Sequence, residues 1–166
     1  RCEYGSSKTV LPNIVCMKTL SHFGPGGVKY WVFRYIGATA GANDVIFELD
    51  GDNALKEHDV LLNVNHLYTG KRKQFDNHPV WATYGSFQEK NEENMQPFPE
   101  LRPHQYRPRQ QDDVHRWRYG HPRTFKVHLL AHMGRKDFTY SDGSWLQKAA
   151  TDRGFFYRAL ELSGPY

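Results

Sequence analysis

Two aspartates separated by a glycine, Asp50-Gly51-Asp52, are the residues of this chain whose types and spacing best suit chemistry. They follow residues 45–49, a short and almost continuously apolar run that is typical of a buried strand. In open α/β sheets ligands bind at the carboxyl ends of strands, and a glycine there lets a ligand approach the backbone closely. Carboxylate oxygens suit Mn²⁺ or Mg²⁺, which share their coordination with the phosphates of a ligand. The pattern predicts a divalent-cation site with Asp50 and Asp52 as ligands.

A third aspartate, Asp152, follows Thr151 at the predicted start of the last helix. An acidic residue at this position is favoured by helix capping and by the helix dipole alone. A carboxylate within reach of a hydroxyl group can also act as a general base. The residues by themselves leave both interpretations open.

Three basic or imidazole side chains are candidates for binding a nucleotide or its phosphates. His121 and Arg123 lie at the predicted start of a helix, where backbone N–H groups favour anions. The alternative for Arg123 is that it holds the long loop before it. Lys29 follows a glycine-rich turn and could reach a nucleotide, or it is an exposed lysine in the first turn of a helix.

The first half of the chain alternates between predicted helices and strands. A Gly/Pro cluster at residues 23–27 predicts a loop, and apolar residues spaced by three and four predict a helix over residues 28–39. The apolar face of this helix comprises Val28, Trp31, Val32, Tyr35, Ile36 and Thr39. A central strand over residues 45–49, a helix over residues 57–68 and a strand over residues 80–87 follow. This order favours an α/β architecture.

In the second half, residues 88–120 are rich in proline and show almost no apolar periodicity. So long a loop is uncommon in a compact domain unless it is functional, which predicts an active-site or acceptor loop. A helix is predicted from Pro122 or Arg123 to His132. Another is predicted from Thr151, as its cap, to Gly164. Trp81 and Tyr84 are expected to pack in the core, whereas Trp145 is a candidate for stacking on an acceptor sugar or for simple packing.

Composition excludes several classes of protein. The chain has 166 residues, 39% of them hydrophobic and 14% aromatic, which is typical of one folded domain and not of a disordered chain. No apolar run approaches the ~20 residues that a membrane-spanning helix needs, so no span is predicted. The net charge is +4, with basic residues concentrated in the last third. They are scattered among Pro, Gln and His, so no nucleic-acid partner is expected.

Four motifs, in order over residues 24–164, resemble the latter part of a GT-A-fold glycosyltransferase of the family 2 type. Residues 45–53 resemble the strand that carries the Asp-x-Asp motif. Residues 81–87 resemble a strand that often reads Trp-x-Thr-Tyr-Gly, and residues 121–125 resemble a His-Leu-Arg-Thr-Phe helix start in one bacterial and viral branch. Residues 151–154 fall where that branch has an acidic residue before a helix ending in Leu-Glu-x-x-Gly.

The resemblance implies a single domain over residues 1–166 with a Rossmann-like mixed sheet flanked by helices. It implies a metal-dependent, inverting transferase that moves one sugar from a nucleoside-diphosphate sugar, most commonly a UDP-sugar, to a hydroxyl of a glycan, protein or lipid. Asp50 would contact the ribose or the metal-bound phosphates, and Asp52 would bind the Mn²⁺ or Mg²⁺ that bridges the diphosphate. Asp152 would be the general base. The motif typical of processive synthases is absent, which favours transfer of a single sugar.

The sequence departs from this family before Gly24, where the segment that holds the nucleotide base is not found. The chain is therefore expected to lack the first strand–helix units of the fold and to be part of a longer polypeptide. This departure keeps open a second class, a glycosyltransferase-like module that binds without turnover. The basic last third keeps open a third and less favoured class, a nucleic-acid-associated domain.

Overall fold

The computed structural model describes residues 15, 17, 21–51, 53–55, 57–70, 79–85 and 119–164. Their elements, in chain order, are α1 (Gly24–Thr39), β1 (Val45–Glu48), α2 (Val60–Tyr68), β2 (Ala82–Gly85), β3 (Gly120–Lys126), the 3₁₀ helices Val127–His132 and Arg135–Phe138, and α3 (Ala149–Ser163). This is a mixed α/β fold, as the order of elements in the sequence predicts. Across the described ranges no helix combines the length and apolar character needed to cross a membrane.

The three strands form an antiparallel sheet in the order β1-β3-β2. The sequence predicts that β1 is central, but within the described residues β3 is central and β1 lies at an edge. Glu48 of β1 and Tyr84 of β2 both pair with Arg123 of β3. Because side chains alternate along strands, these three share one face of the sheet with Phe125, two residues further along β3.

Helices α1 and α3 cover this face through an aromatic core. Phe125 is fully buried, and its ring lies 5.6 Å from that of Phe33 in α1 and 6.3 Å from that of Phe155 in α3. Burying each such side chain contributes roughly 1.5–3 kcal/mol relative to leaving it exposed. Lys29 lies one helical turn before Phe33, and Asp152 lies one turn before Phe155. The core therefore directs both charged side chains to the same end of the sheet.

The opposite face of the sheet binds α2 through hydroxyl groups. The Tyr68 hydroxyl lies 2.9 Å from Thr124 Oγ1, and Thr83 Oγ1 lies 2.5 Å from the same atom. Burial raises the pKa of Tyr68 to about 12, although hydrogen bonds from the two threonines oppose this shift. The Tyr68 hydroxyl therefore stays protonated at neutral pH and links α2 to the centre of the sheet.

The predicted helix from Pro122 or Arg123 to His132 is wrong. This segment forms β3 as far as Lys126 and only then a 3₁₀ helix. Strand pairing on both sides, with β1 and with β2, satisfies its backbone in an extended form. Residues 88–118 of the predicted loop lie outside the described residues, and Tyr119 at its end is buried.

The predicted start of α1 is also wrong, and its predicted buried face is only partly confirmed. The helix begins at Gly24, because Pro25 is tolerated in a first turn where no N–H partner is needed. Val28, Trp31 and Tyr35 of the predicted face are exposed, whereas Val32 and Ile36 pack against the core and Phe33, outside that face, is buried. Apolar residues occur on all sides of this helix, so their spacing identified only part of its buried side.

The other two helices differ from prediction mainly at their ends. Helix α2 starts at Val60 and not at Glu57, and its Leu61 is exposed. Helix α3 starts at Ala149, and Thr151 does not cap it. The Thr151 hydroxyl instead donates a hydrogen bond to the Leu146 carbonyl at 3.1 Å. Strand β2 falls inside the predicted range of residues 80–87.

Candidate functional site

Charged side chains from four separate elements meet at the carboxyl end of β1. Helix α1 provides Lys29, and the first turn of α3 provides Asp152. Strand β3 provides Arg123 directly opposite Glu48, the last residue of β1. The antiparallel register therefore joins residues that lie 75 positions apart in the sequence.

Two cations and two carboxylates form a closed ring of ion pairs. Arg123 donates from Nη1 to Glu48 Oε2 and from Nη2 to Asp152 Oδ2, both at 3.2 Å. Lys29 Nζ bonds Glu48 Oε1 and lies 2.6 Å from Asp152 Oδ1. Both oxygens of each carboxylate are therefore engaged, and the charges of the ring cancel.

The ring lies directly on the aromatic core. The Arg123 side chain is only 2% exposed and lies over the Phe156 ring at 5.7 Å, while Lys29 Nζ lies 4.8 Å from the centre of the Phe155 ring. Arg123 Nε also donates to the Tyr119 carbonyl at 2.9 Å, so the guanidinium contacts the last part of the predicted 88–120 loop. Its bonds to Glu48, Asp152 and Tyr119 fix the guanidinium in one orientation.

Opposing effects act on the pKa of Asp152. Burial by itself would raise this pKa, but hydrogen bonds and charge from Lys29 and Arg123 outweigh burial and hold it below its usual value. The carboxylate is therefore ionised at neutral pH.

We expect this ion pairing to make stability depend on pH at the acid end. A carboxylate with a lowered native pKa stabilises the folded state above its unfolded pKa, and the contribution is lost as the pH falls through the native pKa. The free energy of unfolding of the wild type minus that of Asp152→Asn should be constant above about pH 5. It should shrink as the pH falls below the usual aspartate value of 3.8.

Urea unfolding at a series of pH values measures this difference. The exposed Asp59 offers a matched control variant, Asp59→Asn. A difference for Asp152→Asn that stays constant down to about pH 2 would contradict the ion pairs as described.

A group able to bind a metal adjoins the ring. Glu48, Asp50 and His121 each offer one ligand atom, and these atoms lie within 4.8 Å of one another. His121 Nε2 lies 3.7 Å from Asp50 Oδ2 and 3.8 Å from Glu48 Oε2, too far for hydrogen bonds. This nitrogen is buried and has no hydrogen-bond partner among the described residues. Two carboxylates and one imidazole form a ligand set that suits a first-row divalent metal.

The surroundings of His121 favour its neutral form. Burial lowers its pKa, and the charge of Arg123 lowers it further, against the opposing effect of nearby carboxylates. On the other side of the imidazole, His121 Nδ1 lies 3.0 Å from Asn53 Nδ2. The neutral imidazole is the form that binds metals.

Five of the residues selected from the sequence meet at this site, namely Lys29, Asp50, His121, Arg123 and Asp152. The sixth, Asp52, lies outside the described residues. Sequence reasoning did not select Glu48 or Asn53. The signal for Glu48 was its place as the one charged residue in an apolar strand, because a charge in such a position needs a partner.

Trp145 lies on the side of α1 that faces the core. Its ring is 5.5 Å from that of Tyr30 and 6.1 Å from that of Phe23, and the Arg135 guanidinium lies over it at 4.7 Å. These contacts show that Trp145 packs against α1 and the core, as one of its two predicted roles requires. Trp81 and Tyr84 also pack against the core, as predicted.

No family model, curated protein or solved structure matches this chain.

Proposed function

We propose that the protein is a metal-dependent, inverting glycosyltransferase that moves one sugar from a nucleoside-diphosphate sugar, with UDP the favoured nucleotide, to a hydroxyl acceptor. One observation carries this proposal. The group able to bind a metal and the ionised Asp152 are adjacent, since Arg123 bonds both Glu48 and Asp152. A cation site beside a carboxylate base is the pair of functions that such a transfer needs.

Glu48, Asp50 and His121 would hold the cation, and Asp52 stays a predicted ligand. His121 Nε2 is buried near two carboxylates and has no hydrogen-bond partner among the described residues. It fits this role because a cation would give His121 Nε2 and Asp50 a partner and would share Glu48 with Arg123. A bound Mn²⁺ or Mg²⁺ would act as a Lewis acid that offsets the charge of the leaving diphosphate.

Asp152 would take the proton of the acceptor hydroxyl. As the O–H bond breaks, the oxygen forms a bond to the anomeric carbon, and the diphosphate leaves from the opposite face with the electron pair. Lys29 and Arg123 keep Asp152 ionised and oriented, at some cost in basicity. The acceptor hydroxyl would have to replace one of these partners, and Lys29, with 21% of its side chain exposed, is the more accessible.

We also propose that the mixed α/β fold is a GT-A-like fold. Helices on both faces of the sheet and a site at the carboxyl end of β1 support it. It requires at least one parallel strand in addition to the three antiparallel strands described.

One observation favours a second candidate, a module that binds metal and nucleotide without turnover. Both oxygens of Asp152 are already paired, so neither is free for a substrate unless an ion pair opens. Binding would be the same in both candidates, and only turnover separates them.

Metal binding gives the first test. We expect Mn²⁺ to bind the wild type, and UDP to raise the melting temperature only when Mn²⁺ is present. Asp50→Asn should weaken Mn²⁺ binding by at least about tenfold, since even indirect changes at metal sites cost 10–100-fold. Calorimetric titration of Mn²⁺ measures this, with Asp59→Asn as the exposed control. If no nucleoside diphosphate raises the melting temperature with Mn²⁺ present, the proposed function is wrong.

A further inference from the structure

We propose that the side-chain amide of Asn53 supports both neutral tautomers of His121, and that His121 Nε2, as a nitrogen ligand, makes the cation site select Mn²⁺ over Mg²⁺. This inference rests on the cation of the proposed function. It does not depend on sugar transfer.

The segment that follows β1 brings Asp50 and Asn53 to the imidazole of His121. The Asn53 N–H donates to the Asp50 carbonyl at 3.1 Å, which holds Asn53 close to Asp50. Asp50 then faces Nε2 of His121, and the Asn53 amide faces Nδ1. The imidazole side chain between them is 12% exposed.

The two edges of the imidazole are linked because its neutral form carries a single proton. When Asn53 Nδ2 donates to Nδ1, the proton is on Nε2, and Nε2 cannot bind a metal. When the amide turns by half a rotation, its oxygen accepts from Nδ1–H instead. The lone pair of Nε2 then points between the carboxylates of Glu48 and Asp50.

The presence of a cation decides between these two states. Without one, a lone pair that faces two carboxylates is repelled, so the tautomer with the proton on Nε2 is preferred. With one, the lone pair and both carboxylates are all attracted to the metal. An asparagine serves both states because its amide both donates and accepts, which neither a leucine nor an aspartate can do.

A nitrogen ligand also discriminates between metals. Mg²⁺ prefers oxygen ligands and keeps several of its waters. Mn²⁺ also binds oxygen ligands but, as a first-row transition metal, accepts an imidazole nitrogen more readily than Mg²⁺ does. Coordination by His121 Nε2 should therefore raise the affinity for Mn²⁺ more than the affinity for Mg²⁺. Selectivity should therefore depend on His121, while general affinity for cations depends on Asp50.

The test measures the dissociation constants of Mn²⁺ and Mg²⁺ by calorimetry for the wild type and three variants. We expect His121→Gln to lose most of the preference for Mn²⁺, because the glutamine offers an oxygen in place of Nε2. Asn53→Leu should weaken Mn²⁺ binding by about 10–100-fold, the usual effect of removing a group that orients a metal ligand. Asn53→Asp should retain the preference, because its carboxylate accepts from Nδ1–H. The exposed His58 supplies the matched control, His58→Gln.

Long-range ¹H–¹⁵N spectra of the histidine side chains give an independent measurement. Zn²⁺ serves as a diamagnetic probe of the same site. In the wild type, adding Zn²⁺ should move the proton of His121 from Nε2 to Nδ1. In Asn53→Asp the proton should be on Nδ1 before any metal is added.

The outcomes separate this inference from the proposed function. If Mn²⁺ binding depends on Asp50 but His121→Gln keeps the preference for Mn²⁺, or the tautomer does not change, the inference is overturned and the cation site stands. If no cation binds, both are overturned. If selectivity and tautomer behave as expected but no UDP-sugar is turned over, the inference stands and the transferase does not.

Discussion

Replacing Asp152 by asparagine is expected to lower the rate of sugar transfer by about 10²–10⁴-fold, the usual contribution of a positioned general base. Asparagine keeps the shape of the side chain and one oxygen that can accept a hydrogen bond from Lys29 or Arg123. It cannot take a proton from the acceptor. The loss should appear in kcat, because Asp152 bonds to Lys29 and Arg123 and is not one of the three residues able to bind the metal.

The measurement compares UDP-sugar turnover in the wild type, in Asp152→Asn and in the control Asp59→Asn. Mn²⁺ affinity should change by no more than a few fold in Asp152→Asn, and its melting temperature shows whether the fold survives. Equal turnover in the wild type and in Asp152→Asn would remove Asp152 from the mechanism. Binding of Mn²⁺ and UDP without any wild-type turnover would identify the protein as the binding module.

Replacing Arg123 by methionine should lower the free energy of unfolding by about 3–5 kcal/mol, the range for removing one partner from a buried ion pair. Methionine fills much of the same volume but leaves Glu48 and Asp152 side by side with only Lys29 between them. The two carboxylates are 11% and 21% exposed, so water cannot fully compensate. The Tyr119 carbonyl also loses its donor.

Urea unfolding measures this loss, and the exposed Arg34 of α1 provides the matched control. Arg34→Met should change the free energy of unfolding by less than about 0.5 kcal/mol. Adding Asp152→Asn to Arg123→Met should restore part of the loss, because it removes one of the uncompensated charges. If Arg123→Met costs no more than Arg34→Met, the ring of ion pairs does not stabilise the fold.

Local sequence signals predicted most of the elements. Apolar spacing and turn residues located α1, β1, α2 and α3, because these signals act over a few residues and need no partner. The same signals failed for residues 120–126, where a proline and a histidine suggested a helix start. Hydrogen bonds to β1 and β2 decided that segment, and these partners lie far away along the chain.

For the site, the sequence by itself determined most of the side chains that could do chemistry, but not Glu48 or Asn53, because residue type and a place beside a predicted strand or helix end are local properties. Lys29, Asp50, His121, Arg123 and Asp152 were all selected in this way. Only the tertiary structure decided that Arg123 is paired with Glu48 and that Asn53 faces His121. Those contacts depend on the register of β1 against β3 and on the docking of α1 and α3 over Phe125. Register and docking are set by burial and hydrogen bonding between distant segments, which residue spacing does not encode.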